Sequence, residues 1–128
     1  MREAYEVLMP ITGQLVVLTG RLDVHTVSAV RDALHAAVEQ GEGRLVIDLA
    51  EIHLVDATGL GVLVGTQRRA QRAGRRIELR GTPPRLRRLL RATRLDRVLP
   101  TESDKLLATE LRYPRAAGHG APEPVSAA

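Results

Sequence analysis

The run Leu45-Val46-Ile47-Asp48-Leu49 and the segment Val55-Asp56-Ala57-Thr58-Gly59-Leu60-Gly61 that follows it decide the fold. A run that is apolar at every position but Asp48 has the pattern of a strand covered on both faces, which belongs at the centre of a sheet. A short link through Ile52, Leu54 and Val55 leads to a change of period. Leu60, Leu63, Val64, Gln67 and Ala70 then fall on one side of a helix and Thr66, Arg69 and Arg72 on the other, with Gly74 as its end.

Outward from this unit the same reading continues in both directions. Tyr5 to Met9 and Leu15 to Thr19 are apolar runs separated by the Pro and Gly of a turn, which predicts a β-hairpin. Gly20 to Asp23 closes the second strand, and Val24, Val27, Val30, Leu34 and Val38 recur at helical spacing up to Gly41. This first helix makes the central strand the second limb of a crossover. Downstream, Arg76 to Arg80 alternates as a strand, and Gly81-Thr82-Pro83-Pro84 turns into a third helix reaching about Ala92, with Leu86, Leu89 and Leu90 as its stripe. Leu95, Val98 and Leu99 suggest a further short strand. Thr101 to Asp104 supplies capping residues for a terminal helix carrying Leu106, Leu107 and Leu111.

The expected class is α/β: a mixed sheet of four to five strands with about four helices packed on it. With 128 residues and 44% apolar content, one domain over residues 1–112 is expected. Residues 113–128, rich in Pro, Gly, Ala and Ser, read as a disordered tail. The core must be aliphatic, because the chain has no Phe or Trp and its two tyrosines are Tyr5 and Tyr113. No apolar run approaches the length of a membrane span and the first residues lack a signal-peptide core, so a cytoplasmic protein with no membrane partner is expected. There is no cysteine, and the four histidines, His25, His35, His53 and His119, are scattered; neither a metal site nor a cofactor is expected.

The net charge of +4 comes almost wholly from arginine, with twelve Arg between Arg68 and Arg97 against Glu78 and Asp96. Such a cluster is read first as a solvated face and second as a nucleic-acid surface. No helix-turn-helix, zinc finger or aromatic reader accompanies it, so direct nucleic-acid binding ranks low. No catalytic constellation is visible either: there is no phosphate-binding Gly-rich loop ending in Lys-Ser/Thr and no Gly-x-Ser-x-Gly. His25 reads as a surface residue at a helix start and His53 as a loop residue. At the junction before the second helix, Asp56 or Thr58 is placed to cap the first turn, and Gly59 to allow a close backbone approach.

The stretch Leu45 to Leu49, then Ile52, then Val55 to Leu63, resembles the anti-sigma factor antagonists of the STAS domain family. Gly20-Arg21-Leu22-Asp23 with Thr26 is similar to that family's first strand-to-helix junction, and Leu95-Asp96-Arg97-Val98-Leu99 to its late Leu-Asp segment. The likeness runs from about Tyr5 to Arg112 in the same order of elements. It implies a STAS-type single domain that is not an enzyme but the substrate of a partner. That partner is an anti-sigma factor that is also a serine kinase, and any bound ATP or ADP belongs to it. The resemblance places the phosphoacceptor at Thr58 and partner-binding residues at Asp23, Thr26, Asp56 and Gly59; Leu60 and Val62, on a very apolar helix start, read either as core or as partly exposed residues that dock the partner. It also implies that the two junctions are adjacent, so that Asp23 and Asp56 add negative charge beside Thr58. The unmodified chain would bind the partner and release a sigma factor; the phosphorylated chain would let go, and a phosphatase would reset it. Ala57 leaves a single acceptor where the family often has Ser nearby. The alternatives are an accessory or scaffold STAS subunit of a signalling complex or ABC-type lipid transporter, and an Arg-rich nucleic-acid binder.

Overall fold

In the computed structural model, which describes residues 5–102, the sequence patterns resolve into β1 (Tyr5–Ile11), β2 (Leu15–Leu22), α1 (Val27–Glu39), β3 (Arg44–Val55), α2 (Ala57–Arg72), β4 (Arg76–Arg80), α3 (Pro84–Ala92) and β5 (Thr101–Glu102). A single 3₁₀ turn at Leu95–Arg97 lies between the last two. The strands form one sheet in the order β1-β2-β3-β4-β5. β1 and β2 pair antiparallel as the expected hairpin, and β2, β3, β4 and β5 run parallel. The fourth helix expected after Thr101, the boundary at residue 112 and the tail all lie outside the described residues.

β3 is the central strand that its apolar run predicts, and it is covered on both faces. Leu45, Ile47 and Leu49 point towards the helices and pack with Val30, Leu34 and Val38 of α1, Leu60 and Leu63 of α2, and Leu86 and Leu90 of α3. Val46 points the other way and joins Leu8, Leu15 and Val17. Asp48 shares that second face; it is fully buried and is paired with the equally buried Arg80, Nε to Oδ2 at 2.8 Å. Its other oxygen accepts from the Ala50 N–H. Leaving one partner of such a pair without the other is costly in a dry site, which fixes the register of β3 against β4.

Four expectations are corrected. The link through Ile52, Leu54 and Val55 is the far end of β3, held in the sheet because β2 continues beside it, with Gly20 opposite Ile52 and Leu22 opposite Val55. Val24 is outside α1, which begins at Val27, and it is 60% exposed. In α3 only Leu86 and Leu90, one turn apart, reach the core, and Leu89 is exposed. The segment after α3 is a 3₁₀ turn rather than a strand. It carries the fully buried Leu99, and Thr101 and Glu102 extend the sheet beside Leu79 and Arg80.

Polar residues on α2 also differ from a simple amphipathic pattern. Thr66 is buried because its hydroxyl donates to the Val62 carbonyl one turn back. The Gln67 amide accepts from the Ile77 N–H at 2.9 Å and donates to the carbonyls of Ile77 and Val98. It thereby satisfies the β4 backbone on the side where β5 is too short to reach, which is the accounting that buried peptide groups demand.

The basic segment divides into two parts. Arg75 lies inside, its guanidinium donating to Ala37 and Val38 at the C-terminal end of α1 and to Gly13 and Gly43 in the flanking loops. A cation is favoured there by the helix dipole as well as by the free carbonyls. Arg80 is inside as well. Arg85, Arg87, Arg88, Arg91, Arg94 and Arg97 are exposed and form the solvated face that composition suggests.

Candidate functional site

The two loops that leave the C-terminal ends of the neighbouring parallel strands β2 and β3 meet at Asp56. Its backbone N–H donates to the Leu22 carbonyl at 3.3 Å, continuing the ladder by one residue. One carboxylate oxygen accepts from the Gly59 N–H at 2.9 Å and the other from the Val24 N–H at 3.3 Å. The backbone at Asp56 is extended (φ −102°, ψ −175°), and its carbonyl accepts from the Leu60 N–H. Asp56 is therefore the helix cap, which resolves the choice between it and Thr58. The same carboxylate ties the β2–α1 loop to the start of α2.

Thr58 becomes the second residue of the helix. It is exposed, and its hydroxyl makes no hydrogen bond among the described residues. It sits where the unpaired N–H groups of a first turn leave partial positive charge.

Gly59 is held against β2. A Cβ there would collide with the Leu22 carbonyl group, 2.8 Å from its carbon and 2.8 Å from Leu22 Cγ. Gly59 is buried, and Leu60 and Val62, for which core and docking surface were both open, are 8% and 7% exposed and belong to the core. The close approach of α2 to the sheet turns both side chains inward. The apolar residue that does face solvent at this corner is Val24. The helical spacing had absorbed it into α1; what the spacing lacked was the cap, because the chain must turn through His25 and Thr26 before helix begins.

Asp23 and Thr26 are brought to the same corner but are 3% exposed and shape the turn from within. The Thr26 hydroxyl donates to the Arg21 carbonyl and accepts from the Asp23 N–H, while Thr26 and Val27 N–H groups donate to the Asp23 carbonyl. The Asp23 carboxylate accepts from Arg21 Nε at 2.8 Å and from the His25 N–H at 2.9 Å. Burial raises its pKa, but the Arg21 hydrogen bond, the His25 N–H and the Arg21 charge outweigh that, so the carboxyl titrates below its ordinary value. The two junctions are adjacent, as the resemblance implies, but the charge of Asp23 is matched by Arg21. The open negative charge near Thr58 is Asp56.

A depressed carboxyl pKa stabilises the fold at every pH above the unfolded value of about 4, and that contribution is lost as pH falls through the folded value. Asp23→Asn is therefore expected to lower the melting temperature at pH 7, with the gap to the parent closing as the pH is taken below about 4. Thermal unfolding followed by circular dichroism across that range checks it. A gap that stays constant with pH would assign the loss to shape rather than charge.

Among the described residues no helix is long and apolar enough to cross a membrane. The arrangement offers no nucleophile with a base; it offers one exposed hydroxyl at a helix start, braced by a carboxylate that spans two loops.

The family model described as Mlab, STAS domain, matches residues 10–101 of the chain. An anti-sigma-B factor antagonist of Bacillus subtilis is 34% identical over 82 residues, covering 64% of this chain and 74% of that protein. An anti-sigma F factor antagonist of Paenibacillus polymyxa is 30% identical over 102 residues, 77% of this chain and 87% of that one. Among solved structures, the anti-sigma factor antagonist SpoIIAA in its unphosphorylated form superposes with a TM-score of 0.66 at 20% identity, covering 85% of this chain and 96% of its own. An anti-sigma factor antagonist from Mycobacterium paratuberculosis gives 0.68 at 24% identity, over 84% and 94%. These structural likenesses share the fold described above.

Proposed function

The chain belongs to the STAS domain family, which includes the anti-sigma factor antagonists, and from that premise we propose that it is a phosphorylation-switched antagonist acting in the cytoplasm. Unmodified, it binds an anti-sigma factor that is also a serine/threonine kinase and frees a sigma factor. Phosphorylated on Thr58 by that partner, it lets go, and a phosphatase restores it. The chain is substrate rather than catalyst.

The observation that carries this reading is the position of Thr58: exposed, unbonded, and second in a helix whose cap also fastens the neighbouring loop. A phosphate there adds about −1.5 to −2 charges beside a helix N-terminus, where an anion is tolerated, so the fold persists and the effect falls on the partner. Asp56 adds charge of the same sign. Gly59 and Asp56 hold the loop in place, and Asp23 and Thr26 hold its neighbour, so these four act on the partner by positioning the surface; Leu60 and Val62 set how close α2 lies to the sheet.

The test is to capture the kinase on the immobilised chain, add ATP and map the phosphate. Phosphate on Thr58, abolished by Thr58→Ala, is the expected result. Phosphate elsewhere, or none with an active kinase bound, overturns the reading. The accessory-subunit alternative is favoured by one observation, that the matching family model carries the description Mlab. Capture of an ABC-type ATPase in place of a kinase would establish it.

A further inference from the structure

Between α1 and α2 runs a groove of about 340 Å³ that begins at Thr58 and is lined by Arg31 and His35 from one helix and Arg69 and Arg72 from the other. Its α2 wall passes Gly61 and Gly65, where a Cβ would meet nothing within 4 Å; their missing side chains leave the cleft open. We propose that this groove is a docking site for an acidic segment of the regulatory partner, so that the charge on Thr58 controls a surface larger than the residue itself. The proposal rests on the switch reading above and names the chemistry that the partner brings to it.

The charge balance points to an acidic occupant. Among the described residues no Asp or Glu lines the groove. Arg31 and Arg72 make no hydrogen bond or ion pair among the described residues, and Arg69, although paired with the exposed Glu39 at the rim, keeps its Nε shielded from solvent without a partner. Burial pushes the His35 imidazole below its usual range, and the Arg69 and Arg31 charges push the same way, against Asp32 and Glu39. The guanidinium groups of Arg31 and Arg72, with the remaining Nε–H of Arg69, face one cleft and form a positive field, the kind of surface that recruits carboxylates. Nucleic acid fits less well. Among the described residues its lining carries no aromatic ring on which a base could stack.

Phosphate on Thr58 would stand at the mouth of this groove. It repels an acidic segment and offers the arginines a carboxylate's competitor within the same molecule, so docking and phosphorylation oppose each other.

The experiment titrates a labelled Glu-rich peptide, and a Lys-rich one of equal length, into the full chain at low ionic strength. The Glu-rich peptide is expected to bind, with amide shifts at Gly61 and Gly65. Arg31→Glu with Arg72→Glu should weaken it by about tenfold or more, while Arg85→Glu with Arg88→Glu on the solvated face leaves it near the parent value. Equal losses in both double variants, shifts confined to α3, or tighter binding of a duplex oligonucleotide lost in the same groove variant would overturn the proposal. Peptide binding by a chain that no kinase phosphorylates on Thr58 would retain the groove and discard the switch. Phosphorylation on Thr58 without peptide binding would do the reverse.

Discussion

Replacing Gly59 by alanine is expected to lower the melting temperature by roughly 10–15 °C, a loss of about 3 kcal/mol for a domain of this size. The added methyl group would meet the Leu22 carbonyl, which is backbone at the end of β2 and is held by the Asp56 N–H. Helix propensity alone would favour alanine by up to about 1 kcal/mol, so steric collision and propensity predict opposite signs. Gly61, two residues on, separates them: a Cβ there meets nothing within 4 Å, and Gly61→Ala should be neutral or stabilising. Thermal unfolding of both variants gives the comparison. If the two behave alike, the close contact of α2 with β2 is not what the glycine serves.

The second large effect is on binding. Thr58→Glu is expected to weaken the kinase partner by about a hundredfold, equivalent to a net ~3 kcal/mol of like-charge repulsion and lost contact at the interface. Thr58→Val, which removes the hydroxyl but adds no charge, should stay within a few fold of the parent. Both variants should melt close to the parent, because residue 58 is exposed and a negative charge suits the first turn of a helix. Equal losses in the valine and glutamate variants would make shape, not charge, the basis of recognition. The effect should shrink as salt is raised, since the corner is open to solvent.

What could be read from the chain beforehand follows a physical divide. Leu45 to Leu49, the helical spacing from Val27 to Val38 and the Asp56 to Gly61 junction are local patterns, and the structure realises each of them. The continuation of β3 to Val55 was not legible, because it depends on β2 running alongside, and a partner strand leaves no mark on the residues it pairs. Arg75 and Arg80 looked like members of a basic face. They are inside because loop carbonyls converge on one and Asp48 on the other, and convergence is a property of the tertiary fold. Gln67 is a similar case, a polar residue on an apolar stripe whose role appears only when β4 is found to lack a full neighbour. At the site, a capped helix start at Asp56 to Thr58 was legible from the junction, with the choice of cap between those two left to the structure. The choice between core and surface for Leu60 and Val62, the exposure of Val24 and the arginine-lined groove were not, since each depends on how closely α2 approaches β2 and α1.

The most direct measurement is the affinity of one captured kinase partner for the chain before and after stoichiometric phosphorylation, with the phosphate located at Thr58 by mass spectrometry. A dissociation constant about a hundred times larger is expected for the phosphorylated chain, with the melting temperature little changed. Equal affinities for the two forms, or tighter binding after phosphorylation, would contradict it.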